Sequence, residues 1–232
     1  MLKPWFKWFF LFTVLFVLWW FFPLENADTW RVGPPPLWAY RESEEEREAS
    51  RTQYLYVPLS RMSTSVIAAT ILGEDLRFFE HGGVDIESMR VALEDTLLHH
   101  KPLRGASTIT QQLAKNVFVN HNRSFLRKII ELRWAFWLER KLSKKRILEL
   151  YLNIVELGPH LYGVEAASRV YFHTHAAMLT QEQAAALVAT LPWPKTHNPN
   201  HRTYGWERRK RIILNRLIRD GYIRKLVARC CR

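Results

Sequence analysis

Cysteine is almost missing from this chain: among 232 residues only Cys230 and Cys231 occur, adjacent to each other near the C-terminal end. They cannot form a long-range staple with each other, so a disulfide framework is excluded. Acidic residues are also scarce, 22 Asp and Glu against 34 Lys and Arg, leaving a formal charge of +12. Strand signals are few, and no internal repeat, low-complexity tract or metal-ligand spacing is present, which argues against solenoids and dedicated metal cages. No nucleic-acid motif accompanies the positive charge, and nucleic acid is not expected as a partner.

What the chain does have is one long apolar run. WFFLFTVLFVLWWFFPL, residues 8–24, carries no charge and a single hydroxyl, Thr13. At about 1.5 Å per residue it covers roughly 26 Å, close to the ~30 Å of a bilayer's hydrocarbon. Lys3 and Lys7 precede it, and Glu25 and Asp28 follow. The positive-inside rule then places residues 1–7 in the cytoplasm and everything after about residue 25 outside. A cleaved signal peptide is the rival, but no small-x-small site follows, since Glu25 and Ala27 flank Asn26.

Residues 25–54 read as a stalk, with GPPP and the charged run RESEEEREAS; TQYLYVPL then alternates like one short strand. From about residue 61 apolar residues recur at three and four spacings, predicting helices over 62–73, 85–98, 108–118, 124–141, 143–155, 162–170, 180–191 and 206–228. GGVD (82–85), KPLRG (101–105), ELGPH (156–160) and LPWPKTHNP (191–199) read as turns between them. The expected fold is mainly α: anchor 1–24, stalk 25–54, domain 55–200 and a basic helix over 201–232. That last segment carries eleven Lys or Arg against Glu207 and Asp220, a balance of +9, and reads as a headgroup-facing helix.

Three clusters could carry chemistry. In ILGEDLRFFEHGG (71–83) Glu74 lies between Leu72 and Leu76 and near Phe78, the surroundings that raise a carboxyl's pKa and suit a general base. The alternative is a capped and solvated helix end. RGASTITQQLAKN (104–116) opens a helix, with Thr108 and Gln111 spaced as a capping box and Ser107 able to cap one residue earlier. Its N-terminus, with Gln112 and Lys115 close by, is equally an anion site. On the helix beginning near Ser124, Arg127, Lys128 and Glu131 share one face, with Phe125, Ile129, Leu132 and Phe136 opposite. Lys115, Arg123, Arg127 and Lys128 could stabilise a pyrophosphate leaving group, with Glu131 orienting them or holding a metal.

The ordered series GEDLRFFEHGGVD (73–85), RGASTITQQLAKN (104–116), RKIIE (127–131), KKRILELYLNIVELGPHLYGVEAAS (144–168) with Tyr171 and Phe172, and LPWPKTHNP (191–199) resembles the monofunctional peptidoglycan glycosyltransferases. These share a lysozyme-like helical domain with the polymerase half of bifunctional penicillin-binding proteins. The resemblance implies Glu74 as the base that deprotonates the 4-hydroxyl of the GlcNAc of lipid II, and Glu131 as the second catalytic carboxylate. It implies substrate contacts for Ser107, Thr108, Gln111, Gln112, Lys115, Arg123, Arg127 and Lys128. It further implies a growing undecaprenyl-pyrophosphate-linked strand as donor, Mg²⁺ or Mn²⁺ as cofactor, and a single-pass protein of the bacterial inner membrane with its domain in the periplasm, working beside other cell-wall synthesis proteins. Two departures stand out: His173 and Thr174 replace the family's glycine and lysine, and Gly73 replaces an alanine in what reads as a neutral exchange. A lysozyme-like muramidase or lytic transglycosylase is the rival enzyme, and a membrane-anchored scaffold the non-enzymatic rival. The basic segment 123–128 favours synthesis, because glycan cleavage needs no pyrophosphate-binding cations.

Overall fold

A computed structural model describes residues 4–21, 28–36, 53–99, 107–119 and 125–219. Helix α1 is Pro4–Phe21, a helical turn α2 is Asp28–Arg31, and the main helices follow as α3 (Thr64–Glu74), α4 (Ile86–His99), α5 (Ile109–Phe118), α6 (Phe125–Lys141), α7 (Lys144–Ile154), α8 (Val164–Phe172), α9 (Gln181–Thr190) and α10 (Tyr204–Arg219). All eight helices expected from periodicity are present. The part of the last one expected beyond residue 219 lies outside the described residues, as does the KPLRG turn.

α3 is the spine. Ser63 starts it by accepting the Val66 N–H, and Val66 through Leu72 are all buried, so the helix has no solvated face along that stretch. It is sandwiched by α9 and α10. Ala68 and Ala69 on α3 and Ala184 and Ala185 on α9 belong to one buried cluster and keep its side chains short, so the backbones can approach closely. Gly73 continues that fit. A Cβ there would lie 2.6 Å from Val188 Cγ1 and 3.3 Å from Ile213 Cδ1, so alanine in place of Gly73 is not a neutral exchange in this chain.

The expected strand in TQYLYVPL is present as β1, Gln53–Tyr54. ELGPH, expected as a plain turn, instead forms β2 (Glu156–Gly158), which pairs antiparallel with β3 (Leu161–Tyr162); β1 pairs parallel with β3, giving the order β1-β3-β2. Gly163 closes this sheet with φ +79, and a Cβ there would sit 2.5 Å from Asn153 O. Asn153 is a clamp: its amide donates to Val57 O and accepts from Val57 N, both at 2.9 Å.

The N-terminal segment is docked on the domain. Trp30 is fully buried, 5.2 Å from Phe118, which stacks on Trp134 at 3.7 Å. Arg146 donates to Trp30 O and Gly33 O, each at 2.6 Å. Part of the expected stalk therefore belongs to the folded unit.

α1 has 18 residues, and among the described residues no helix is long and apolar enough to cross a membrane. The expected span began at Trp8 and ran to Leu24. Lys7 interrupts the start of α1, and residues 22–24 lie outside the described residues. Trp20 and Phe136 approach to 5.8 Å, and the Arg133 guanidinium sits 4.1 Å over the Trp19 ring.

Candidate active site

Glu74 is the last residue of α3, and its side chain is 11% exposed. The expected flanks differ from each other: Leu72 and Phe78 are buried, whereas Leu76 points outward at 57% exposure. Phe78 turns in because the chain breaks from the helix at Asp75, whose C=O accepts the Phe78 N–H at 3.0 Å. Gln112 Nε2 on α5 donates to Glu74 Oε2 at 2.8 Å, and Tyr151 on α7 donates its hydroxyl to Gln112 Oε1 at 2.8 Å. The tyrosine thereby fixes which way the amide faces. Arg209 on α10 donates to Glu74 Oε1 and, at 3.3 Å, to Gly73 O. Burial raises the Glu74 carboxyl above the usual carboxylate range; Arg209 and Gln112 oppose the rise, and Asp75 adds to it. Burial, reinforced by the Glu74 charge, pushes the Tyr151 hydroxyl well up as well.

Asp75 does structural work beside it. Its Oδ2 accepts the Ile109 N–H at 3.0 Å, so it holds the first turn of α5. His81 Nε2 lies 2.9 Å from Asp75 Oδ1 while His81 Nδ1 accepts the Gly83 N–H, an arrangement that places the ring proton on Nε2. Asp75, His81 and Asp85 bring one ligand atom each within 4.8 Å of one another. Their donors are already spent: Asp85 accepts from the Ser88 N–H and hydroxyl and pairs with Arg77 at 3.6 Å. Mg²⁺ and Mn²⁺ prefer open oxygen ligands, so this cluster does not fit the cation that the resemblance implies.

The second cluster divides. Thr108 and Gln111 form the expected capping box, and Thr108 also donates to Gly83 O at 2.6 Å. Both are buried, which makes them the frame of the α5 N-terminus, while Ser107 is half-buried just ahead of it. Gln112 reaches the carboxylate. Lys115 is exposed in the last turn of α5, the end where the helix dipole favours a cation. Arg123 lies outside the described residues.

Glu131 is 3% exposed, on the inward face of α6 with Ala135 and Leu138. The expectation had set Phe125, Ile129, Leu132 and Phe136 opposite the charged residues as the apolar face. Instead Phe136 is 38% exposed and meets Trp20 of α1. Lys128 pairs with Glu131 across one turn, and Arg127 is half-buried. The buried carboxylate thus holds a half-exposed cation on α6, which packs against α5.

Sequence reasoning missed Arg209. The signal was present: Trp206, Arg209, Ile213 and Leu217 follow three- and four-residue spacing, which puts this arginine on the stripe that packs inward. Tyr151 is fully buried and bonded to the residue that contacts Glu74.

The site thus joins a buried carboxylate at a helix end, contacted by an amide and an arginine, with a second buried carboxylate that holds a cation. The transglycosylase family model matches residues 42–218. The chain is 43% identical over 190 residues to the biosynthetic peptidoglycan transglycosylase of Shewanella amazonensis, covering 81% of this chain and 77% of that one. It is 44% identical over 166 residues to the protein of that name from Brucella suis biovar 1, covering 72% and 74%. For that of Thiobacillus denitrificans the figures are 36% over 208 residues and 88% of each chain. The chain belongs to the transglycosylase family.

Proposed function

We infer that this protein polymerises peptidoglycan glycan strands. Glu74 takes the proton from the 4-hydroxyl of the lipid II GlcNAc. The O4–C1 bond forms as the bond from C1 to the donor's pyrophosphate oxygen breaks, with inversion to a β-1,4 link. The bonding electrons leave with undecaprenyl pyrophosphate. A pyrophosphate is a weak base and needs opposite charge rather than a proton. Lys115, Arg123, Arg127 and Lys128 are the residues we assign to that task, with Glu131 holding Lys128.

The observation that carries the reading is the Glu74 carboxylate itself. It is largely buried, its pKa is raised, and Gln112 and Arg209 fix both of its oxygens within a chain of this family. Purified protein with lipid II in detergent tests it. Wild type is expected to make long glycan and Glu74→Gln none; cleavage of finished, pyrophosphate-free glycan by the wild type would instead support the lytic reading.

We further propose that α1, together with the apolar residues after it, holds the domain at the outer face of the cytoplasmic membrane. Support comes from a helix whose Trp8, Phe12 and Leu18 are all more than 60% exposed, and from the Lys3 and Lys7 asymmetry.

A further inference from the structure

We propose that Arg209, carried by the C-terminal helix, is a positioning residue that holds the Glu74 carboxylate ionised and aimed beside Gln112. The inference rests on the assignment of Glu74 as base.

Glu74 stands at an unfavourable place for a negative charge. It ends α3, where the last backbone carbonyls lack partners within the helix and the dipole is negative. α3 has no basic residue in its last turn, and Asp75 is next in sequence. Correction comes from another element. Arg209 donates to both Gly73 O and the Glu74 carboxylate, and Arg216, two turns further along α10, donates to Leu72 O at 3.2 Å. Both arginines neutralise the carbonyl end of α3. Their approach depends on Gly73, since Ile213 of the same helix would be 3.3 Å from any Cβ there.

Around Glu74 the other packed elements bring no further cation among the described residues. α5 offers the uncharged Gln112, α7 the Tyr151 hydroxyl, α9 the apolar Val188 against Gly73, and α3 itself the acidic Asp75. Arg209 is therefore the charge that opposes burial. Its Nε is buried with no hydrogen-bond partner among the described residues, so the guanidinium is committed through its other edge, to Gly73 O and the carboxylate.

The role has a signature that a merely structural residue lacks. An opposite charge at this range shifts a carboxyl by about one to three pH units. In Arg209→Gln the acid limb of kcat/KM for lipid II polymerisation should move upward by that amount. Turnover should fall most on the acid limb and recover as pH rises, because below the pKa each unit of upward displacement removes about tenfold of the reactive form. Arg209→Lys keeps the charge and should leave the limb near its wild-type position. Arg216→Gln, which loses only the Leu72 O contact, should not move it.

Circular dichroism and a thermal melt check each fold. Arg209→Met, which keeps the apolar stem, stands in if the glutamine variant does not fold. A carbon-13 titration of the Glu74 carboxyl reads the same displacement without turnover, so it separates this inference from the polymerase reading. A limb and a carboxyl titration that both stay at their wild-type pH, with turnover lowered equally at every pH, would overturn the proposal. So would wild-type turnover across the whole acid limb in Arg209→Gln.

Discussion

At the scale of single residues, Glu74 reconciles two demands that conflict. A base must be ionised to accept a proton, and a dry pocket disfavours the ion. Its pKa is raised, so folding stability is linked to pH with a definite sign. Between the unfolded value of 4.5 and the higher folded value, the native state binds more protons than the unfolded one, and stability therefore falls as pH rises through that window. Glu74→Gln cannot titrate and should lose that slope while losing polymerisation. Chemical denaturation from pH 4 upward checks it; an unchanged slope would assign the pH dependence to other groups.

His173 is a second residue whose geometry departs from its chemistry. It ends α8 in the left-handed region, φ 53 and ψ 36, with its N–H returning to Arg169 O and Ser168 O. That is the position where helices favour glycine, the residue the family carries there. A side chain with a Cβ is strained in this conformation, so His173→Gly should stabilise the fold by about 1 kcal/mol. A thermal melt with Tm unchanged or lowered would count against this reading of the site.

At the scale of elements, the helices were legible because their signals are local. Apolar spacing gave all eight, and Thr108 with Gln111 announced the start of α5 through a box that involves only neighbours in sequence. The β2–β3 hairpin escaped because two- and three-residue strands carry too little alternation to read. The inward face of α6 was misjudged because Trp20, more than a hundred residues earlier in the chain, covers Phe136 from outside. Arg209 and Glu74 are 135 residues apart in sequence, and no local spacing records a pair at that distance. Hence the carboxylates and the α5 frame could be named from motifs, while the arginine controlling the base could not.

Lys115, Arg127 and Lys128 belong to this scale too, since the packed helices α5 and α6 carry them. If Lys115 stabilises charge developing on pyrophosphate, Lys115→Ala should lower turnover by about 10²–10³, the usual loss for one preorganised donor. Lys115 is exposed, so the melting temperature should hardly change. Single-turnover polymerisation beside a melt decides it. A drop in stability that matches the lost activity would make Lys115 a structural residue.

At the scale of the whole molecule, the boundary between anchor and enzyme is the point to test. Composition suggested a stalk up to residue 54, but Trp30 is buried against Phe118 and Arg146 holds the carbonyls of Trp30 and Gly33. Arg146 also pairs with Glu149, which accepts the Tyr56 hydroxyl at 2.9 Å and the Leu59 N–H at 2.6 Å, so one arginine ties the α2 turn to the approach to α3. A protein lacking residues 1–27 keeps every one of these contacts. It should fold and polymerise lipid II in detergent, yet work poorly in cells, because the anchoring proposed for α1 would confine enzyme and substrate to one surface. Removing residues 1–36 takes Trp30 as well. Emptying an aromatic site of this kind typically costs about 3–5 kcal/mol, a large part of a domain's stability. The longer deletion should therefore melt well below the shorter one, and Trp30→Ala in the full chain should reproduce most of the difference. Equal melting temperatures for the two deletions would show that the buried tryptophan is dispensable and return the boundary to residue 55.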